Sequence, residues 1–287
     1  MTPDAPPAAE SLKTSVRSHW EAETCGTRYG DGADRLVWFR EIARTRYKLE
    51  PYILDFARFP DVKGKKVLEI GVGAGSDFLE FCRHADHATG VDLTAAGIGL
   101  TRERLLLEAI PEARYTLRTA DAEALLFSDA SFDIVYSWGV LHHTPDTQRA
   151  YEEVFRVLKP GGAMRTMIYH VPSWTALMLY LVHGLAKGRP ALGLKKAVFL
   201  HLESPGTKAY GVAEARALVA AAGFSDVTIS TRLGPGDLLT IKPSDRYQAW
   251  PYRLAWRLWP RRLIRYLGDR FGLYLLIEGT KRQGAAA

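Results

Sequence analysis

Between residues 65 and 170 the chain alternates short apolar, β-branched runs with stretches of helical periodicity. Residues 66–72, 88–93, 115–119, 132–138 and 163–169 are such runs, each bounded by turn residues, and each predicts a strand. Strands separated by helices imply a parallel sheet with crossover connections. Residues 146–158 carry Ala150, Val154, Val157 and Leu158 at helical spacing. The following Lys159-Pro160-Gly161-Gly162 predicts the stop of that amphipathic helix.

The rhythm changes after residue 170. Residues 171–210 hold aromatic and apolar helical material punctuated by Pro172, Gly188, Pro190 and Pro205, which predicts an insertion. Alternation resumes with a helix over 212–222, a Gly223-Phe224 stop, a strand over 227–232 and a closing strand over 273–281. The intervening stretch, 233–272, far exceeds the usual connection of ~2 to 6 residues, and insertions of that size tend to be functional. Within it, Trp250-Pro251 and Trp259-Pro260 each set Pro where a helix can begin. Arg253 and Arg257 fall on the first predicted helix, and Arg261, Arg262 and Arg265 on the second. Leu254, Trp256, Leu258, Leu263, Ile264 and Leu267 supply the apolar side. That basic amphipathic pattern suits an anionic membrane interface or an amphiphilic substrate.

A length of 287 residues with 47% apolar side chains allows one sizeable α/β core with elaborations. The net charge of +6 is compatible with an acidic partner without requiring one. Two cysteines, Cys25 and Cys82, make no disulfide framework and no metal-binding spacing, so zinc is not expected and a reducing, cytoplasmic setting is. The Pro- and Ala-rich start, residues 1–10, has no basic region followed by an apolar stretch and reads as a disordered lead-in, not a secretory signal. The most apolar long segment, 174–186, is broken by His183 and falls short of the ~20 residues that cross a bilayer.

The sharpest motif is Glu69-Ile70-Gly71-Val72-Gly73-Ala74-Gly75-Ser76, a strand running into a glycine-rich turn and a helix that starts near Asp77. Glycines permit positive φ and close approach of a ligand to the backbone, and the helix start offers unpaired N–H donors. Such a turn serves a dinucleotide or S-adenosylmethionine. The dinucleotide fingerprint has glycine in the sixth place of GxGxxG, where this chain has Ser76, so the methyl donor is favoured. Asp92 ends the second strand about 20 positions after Gly71, the spacing at which a carboxylate meets ribose hydroxyls. Asp121-Ala122-Glu123 ends the third strand near where an adenine amine would lie, and Ser137-Trp138-Gly139 ends the fourth beside the same crevice.

These segments, with Gly90-Val91-Asp92-Leu93, the stretch from Phe132-Asp133 to His142-His143, and Leu158-Lys159-Pro160-Gly161-Gly162, resemble the successive motifs of class I S-adenosylmethionine-dependent methyltransferases. The likeness covers residues 58–169 and, more weakly, the closing strand. It implies an α/β fold: a seven-stranded, mostly parallel sheet with helices on both faces, the last strand antiparallel, and helical insertions after strands five and six. It also implies a cofactor set of Glu69, Gly71, Gly73, Gly75, Asp92, Leu93, Asp121, Ala122 and Ser137. In that set Glu69 and the glycine turn hold the methionine portion, Asp92 the ribose and Asp121 the adenine, while Asp133 supports the site structurally.

The expected organisation is a lead-in and helical cap (1–57), a donor-binding core (58–170), an acceptor lid (171–211), a core helix and strand (212–233), a basic amphipathic insertion (234–272) and a closing strand with tail (273–287). Trp20, the Cys25-Gly26-Thr27-Arg28-Tyr29 stretch and the helix with Arg46, Tyr47 and Tyr52 look like the cap, with Arg28 and Tyr29 near the donor carboxylate. Methyl transfer is an in-line displacement that gains rate from positioning, and a base is needed only for a weakly acidic acceptor. Candidates for it are His142, His143, Tyr169 and His170, which follow strands four and five.

The apolar insertions point to a small, hydrophobic or lipid-like acceptor, with peripheral contact to an anionic membrane. A nucleic-acid methyltransferase is the alternative raised by the arginines. It is disfavoured because Ser137-Trp138-Gly139-Val140 stands where an Asn-Pro-Pro-Tyr-type base pocket would lie and no RNA-binding module is appended. A nicotinamide-dependent oxidoreductase and a non-catalytic docking module complete the alternatives.

Overall fold

The computed structural model describes residues 9–204, 206–240 and 256–283. Strands β1 (Lys66–Ile70), β2 (His87–Asp92), β3 (Tyr115–Thr119), β4 (Phe132–Trp138), β5 (Leu158–Tyr169), β6 (Ser225–Arg232) and β7 (Tyr274–Thr280) form one sheet in the order β3-β2-β1-β4-β5-β7-β6. The first five run parallel, and β7 is antiparallel to both its neighbours. The order reverses between β1 and β4, and in open α/β sheets ligands collect at such a switch point, outside the carboxyl ends of the strands.

Helices α1 (Ala9–Ala22), α2 (Arg35–Leu49) and α3 (Tyr52–Ala57) precede the sheet, and α4 (Ser76–His84), α5 (Ala95–Leu107) and α6 (Thr147–Val157) connect its parallel strands. The first insertion holds α7 (Trp174–His183) and α8 (Gly193–His201). Helix α9 (Val212–Ala221) leads into β6, and α10 (Arg261–Leu267) lies between β6 and β7. Alternation along β1 divides the core in two. Val67 packs with Phe78, Phe81 and Leu105 of α4 and α5, while Leu68 and Ile70 pack with Tyr151, Val154 and Val219 of α6 and α9. Helices therefore cover both faces, as the resemblance implied.

Asp146 caps α6 by accepting from Arg149 N at 3.0 Å, and the helix ends at Val157. The Pro-Gly-Gly stretch after it is no separate turn. β5 already begins at Leu158, opposite Phe132, and a register shift takes up the extra residues. Gly161 N donates to Lys281 O at 2.7 Å and Lys281 N to Gly162 O at 2.9 Å, so the stretch is fastened to the end of β7. The expected helix after Trp259-Pro260 is α10, with Pro260 as its N-cap. Trp250, Pro251, Arg253 and Leu254, Pro205 and residues 1–8 of the lead-in lie outside the described residues. Among the described residues no helix is long and apolar enough to cross a membrane.

Candidate functional site

A cavity of about 620 Å³ opens at the carboxyl ends of β1, β2, β4 and β5, and its walls come from both the sheet and the insertions. On the sheet side the glycine turn follows β1. Gly71 has φ +86°, and a Cβ there would stand 2.1 Å from Val140 Cγ2, so only glycine fits. Gly75, at φ +70°, is the N-cap of α4, and a Cβ there would approach Thr101 Oγ1 to 2.9 Å. Helix α5 fixes the turn from behind. Thr101 Oγ1 donates to Gly73 O (2.9 Å), and Arg104 Nη1 to Ala74 O (3.1 Å) and Ser76 Oγ (2.9 Å).

Asp92 ends β2 with Oδ2 accepting from Gly73 N (3.0 Å) and Oδ1 from Thr94 N (2.9 Å) and Thr94 Oγ1 (2.7 Å). A carboxylate has about four lone-pair sites, so capacity remains for one further donor. Asp121 accepts from Glu123 N (2.9 Å) and from Lys13 Nζ (2.6 Å), and Lys13 also reaches Glu123 (2.6 Å). Burial works against the Lys13 charge, but the two carboxylates outweigh it and hold the ammonium above its ordinary value. Helix α1 is pinned at its other end by Glu21, which accepts from Ala95 N and Ala96 N, both at 3.1 Å, at the start of α5. Between these two pins Val16, His19 and Trp20 cover the cavity. Trp20 is one of the residues that the sequence assigned to a cap; Lys13 and Glu21, which fasten this helix, carried no local signal.

Under the glycine turn lies a buried polar floor. Arg46 donates to Asp77 through Nε (3.0 Å) and Nη2 (2.6 Å), and the Tyr47 and Tyr136 hydroxyls donate to the same carboxylate at 3.1 and 2.9 Å. Glu69 stands beside this group, and its Oε2 has no partner among the described residues. Burial first, and the nearby Asp77 charge next, push the Glu69 carboxyl well above its ordinary value against the pull of Arg46.

The predicted cofactor residues do not all face the cavity. Glu69, Gly71, Gly73, Asp92, Leu93, Asp121 and Ala122 line it, as do Arg28 and Tyr29. Ser137 is instead fully buried, with Oγ donating to Ile70 O at 3.0 Å, and ties β4 to β1. Gly75 shapes the turn from outside the lining. Asp133 accepts from Lys66 N (2.8 Å) and Lys159 Nζ (2.8 Å), far from the cavity, as a structural tie.

The four candidate bases separate as well. His143 and Tyr169 line the cavity. His142 does not. Its ring is fully buried between those of His143 and Tyr169, at centroid distances of 4.2 and 4.1 Å, and burial, with the nearby His143 and Lys208, pushes it well below its ordinary value. It is a neutral packing ring. His170 also lies outside the lining, where Nδ1 donates to Gly272 O at 2.9 Å and joins the end of β5 to the segment before β7.

The insertion adds Glu203, which no motif flagged. Its Oε2 accepts from the Tyr169 hydroxyl at 2.7 Å and lies 3.6 Å from His143 Nε2, too long for a hydrogen bond. Burial works to raise the Glu203 carboxyl, but His143, Tyr169 and Arg28 outweigh it and hold it below the ordinary carboxylate value. His143 Nδ1 meets Ser204 Oγ (2.9 Å) and Thr207 Oγ1 (3.1 Å). Thr207 commits its hydroxyl proton to Ser204 O (2.7 Å), so its oxygen can only accept from the ring. Nδ1 therefore carries a proton, and Nε2 faces Glu203. Much of the remaining wall is apolar and aromatic, with Trp138, Met178, Leu179, Leu239, Trp256 and Tyr274, interrupted by Glu50, Thr175 and His201.

Residues 68–166 match the family model for a methyltransferase domain. This segment is a class I S-adenosylmethionine-dependent methyltransferase domain. Over 104 residues the chain is 41% identical to the phthiotriol/phenolphthiotriol dimycocerosates methyltransferase of Mycobacterium tuberculosis, covering 36% of this chain and 37% of that protein, so it matches only about a third of that relative's length. Over 114 residues it is 34% identical to phosphoethanolamine N-methyltransferase 2 of Caenorhabditis elegans, covering 39% of this chain and 26% of the other. Among solved structures it is similar to a chain of the Haloferax volcanii complex between the Trm112 methyltransferase activator and a methyltransferase. That TM-score is 0.62 at 18% identity, over 95% of this chain and all of that one, a likeness of fold. The family-model match stops short of both insertions.

Proposed function

We propose that this methyltransferase transfers the methyl group of S-adenosylmethionine to a small apolar, lipid-like acceptor. The observation that carries the reading is the continuity of one cavity, from the glycine turn on the sheet to an apolar aromatic chamber walled by the insertions. The donor end suits the methyl donor. Glu69 has a buried oxygen without a partner that an ammonium group would fill, Gly71 leaves room only for bare backbone, and Asp92 keeps one acceptor site for a ribose hydroxyl. Asp121 is at the adenine end, beside Ala122 and Leu93. When bound, S-adenosylmethionine supplies an electrophilic methyl carbon on a sulfonium.

The chain's own residues would orient the acceptor and dispose of its proton. Trp138, Met178 and Trp256 can hold an apolar body, and helix α1 excludes water over the chamber. An acceptor hydroxyl or amine gives up a proton as it gains the methyl group. Glu203, an ionised carboxylate steadied by Tyr169 and His143, can receive that proton. His142 and His170 take no part in this scheme.

Two experiments test the reading. Titration calorimetry with S-adenosylhomocysteine should give binding that weakens in Asp92→Ala, while NADH gives none; binding of NADH alone would restore the oxidoreductase alternative. Labelled donor incubated with fractionated cell extract should then mark an organic-soluble product. Label appearing only in RNA or protein refutes the acceptor class and leaves the donor assignment intact.

A further inference from the structure

Helix α10 and the short helical segment before it present an exposed face that the cavity does not use. Tyr266 is 86% exposed, Leu258 70% and Leu263 50%, with Leu267 also in the open. Arg257, Arg262, Arg265 and Arg270 stand among them, all exposed. Among the described residues no carboxylate pairs with Arg257, Arg262 or Arg265, and the single acidic side chain of this stretch, Asp269, faces Arg232 at 3.6 Å.

The opposite side of the same element is firmly anchored. Ile264 is fully buried, Trp259 Nε1 donates to Asp237 O at 2.8 Å, and Arg261 donates through Nε to Leu238 O (2.9 Å) and through Nη2 to Leu239 O (3.4 Å). Fixing one side this way holds the leucines, the tyrosine and the arginines outward as a set. Water is a poor partner for the leucines of that set.

The face also adjoins the cavity. Trp256, one residue before Arg257, and Leu239, whose carbonyl Arg261 holds, both line the chamber. A surface docked on α10 would therefore lie next to the acceptor wall.

We propose that the α10 face docks on an anionic lipid bilayer. The charge complementarity is direct, because four exposed guanidinium groups fall within residues 257–270 and, among the described residues, no carboxylate pairs with three of them. Interleaved aliphatic side chains decide between a bilayer and a nucleic acid. Phosphates of RNA or DNA would satisfy the arginines but leave Leu258, Leu263 and Leu267 against water, whereas an interfacial helix buries its apolar side chains ~5 to 10 Å below the headgroups. Tyr266 suits the headgroup level, with an apolar ring and a polar tip. The docking is a property of this surface and does not depend on the acceptor's identity.

Co-sedimentation of the full chain with phosphatidylcholine vesicles, with and without phosphatidylglycerol, tests the proposal. Binding should require the anionic lipid and weaken with salt. Arg262→Ala combined with Arg265→Ala should lower it about 30-fold, taking ~1 kcal/mol for each arginine at an anionic surface. Leu263→Ser combined with Tyr266→Ser should weaken it without reducing its salt dependence. All four side chains are exposed, so unchanged melting temperatures should accompany these losses. Equal binding to both vesicle types, or binding indifferent to both double variants, overturns the proposal. So does a face that proves to serve a second copy of the chain or an RNA. Either would appear as variants that change the sedimentation-equilibrium mass or abolish an RNA gel shift while vesicles are ignored.

Discussion

The two halves of the cavity are built on different principles. The donor half is backbone: a glycine turn between β1 and α4, carboxylates at the ends of β2 and β3, and α5 pressed behind them, all within residues 66–124. The proposed acceptor half is side chains delivered from afar. Tyr169 ends β5, Glu203 follows α8, and Trp256 and Leu239 come from the second insertion. One buried carboxylate ties these pieces together. Asp237 accepts from Thr175 N (2.9 Å) and Thr175 Oγ1 (2.8 Å) in the first insertion, from Gly234 N (2.8 Å) in the second, and from Leu273 N (2.7 Å) at the start of β7. A turn with one permitted backbone geometry serves a constant ligand, whereas a chamber hung from loops can be rebuilt for another acceptor without disturbing it.

The sharpest way to break this division is Gly71→Ala. Positive φ costs a side-chain residue ~1 to 2 kcal/mol and the clash with Val140 ~1 to 3 more, so S-adenosylhomocysteine should bind about 100-fold more weakly by calorimetry. The acceptor half should be untouched, with hydrogen exchange across α7 and α8 unchanged. Asp237→Ala attacks the other half. Leaving three backbone N–H groups without their acceptor should cost about 3 kcal/mol or more, and exchange should rise at residues 174–183 and 234–240. Donor binding should persist. If both variants lose donor and acceptor binding together, the halves are one cooperative unit and the division is wrong.

The same contrast explains what the sequence made legible. The strand-turn-helix from Glu69 to Ser76 and the carboxylates at Asp92 and Asp121 could be read locally, because backbone conformation and short spacing leave a signature in residue type. The sheet followed from the same alternation, except at Lys159-Pro160-Gly161-Gly162. There Pro and Gly read as a stop, and pairing with β7 and β4 absorbs them into β5. Ser137 lay on the right strand but points to Ile70, because alternation along a buried strand gives no hint of which face a ligand occupies. His142 and His143 are neighbours, and only the fold decides which meets the cavity. Glu203, Lys13 and Asp237 were invisible for one reason: each takes its meaning from partners far away in the chain.

Two smaller effects sharpen the comparison. Glu203→Gln should lower kcat about 100-fold while leaving donor affinity unchanged, the size typical of losing a positioned proton acceptor. Because Glu203 is held below the ordinary carboxylate value, it stays ionised through that range, and its protonation should cut the rate only at still lower pH. In Tyr169→Phe the carboxyl loses a donor, so the acid limb of the kcat profile should move upward. An acid limb that stays put in Tyr169→Phe, or kcat unaffected by Glu203→Gln, removes Glu203 from the chemistry.

The smallest effect belongs to the donor half. Glu153 of α6 accepts from Leu125 N at 2.7 Å and from Arg156 Nε and Nη2, both at 2.8 Å, holding the connection just after Asp121 and Ala122. The Arg156 hydrogen bonds, with further help from Leu125 N and Arg149, outweigh burial and keep its carboxyl below the ordinary value. A depressed carboxyl stabilises the fold fully above its unfolded pKa, about 4.3, and that stabilisation is lost as pH falls through the lower folded value. Glu153→Gln should therefore cost about 1 to 2 kcal/mol at neutral pH by urea denaturation, with the gap to wild type closing on acidification. Donor affinity should fall by much less than in Gly71→Ala, since the Leu125 segment supports the adenine end without forming the turn. A gap that stays constant into strong acid would mean that the charge of Glu153 contributes nothing and its packing alone holds the connection.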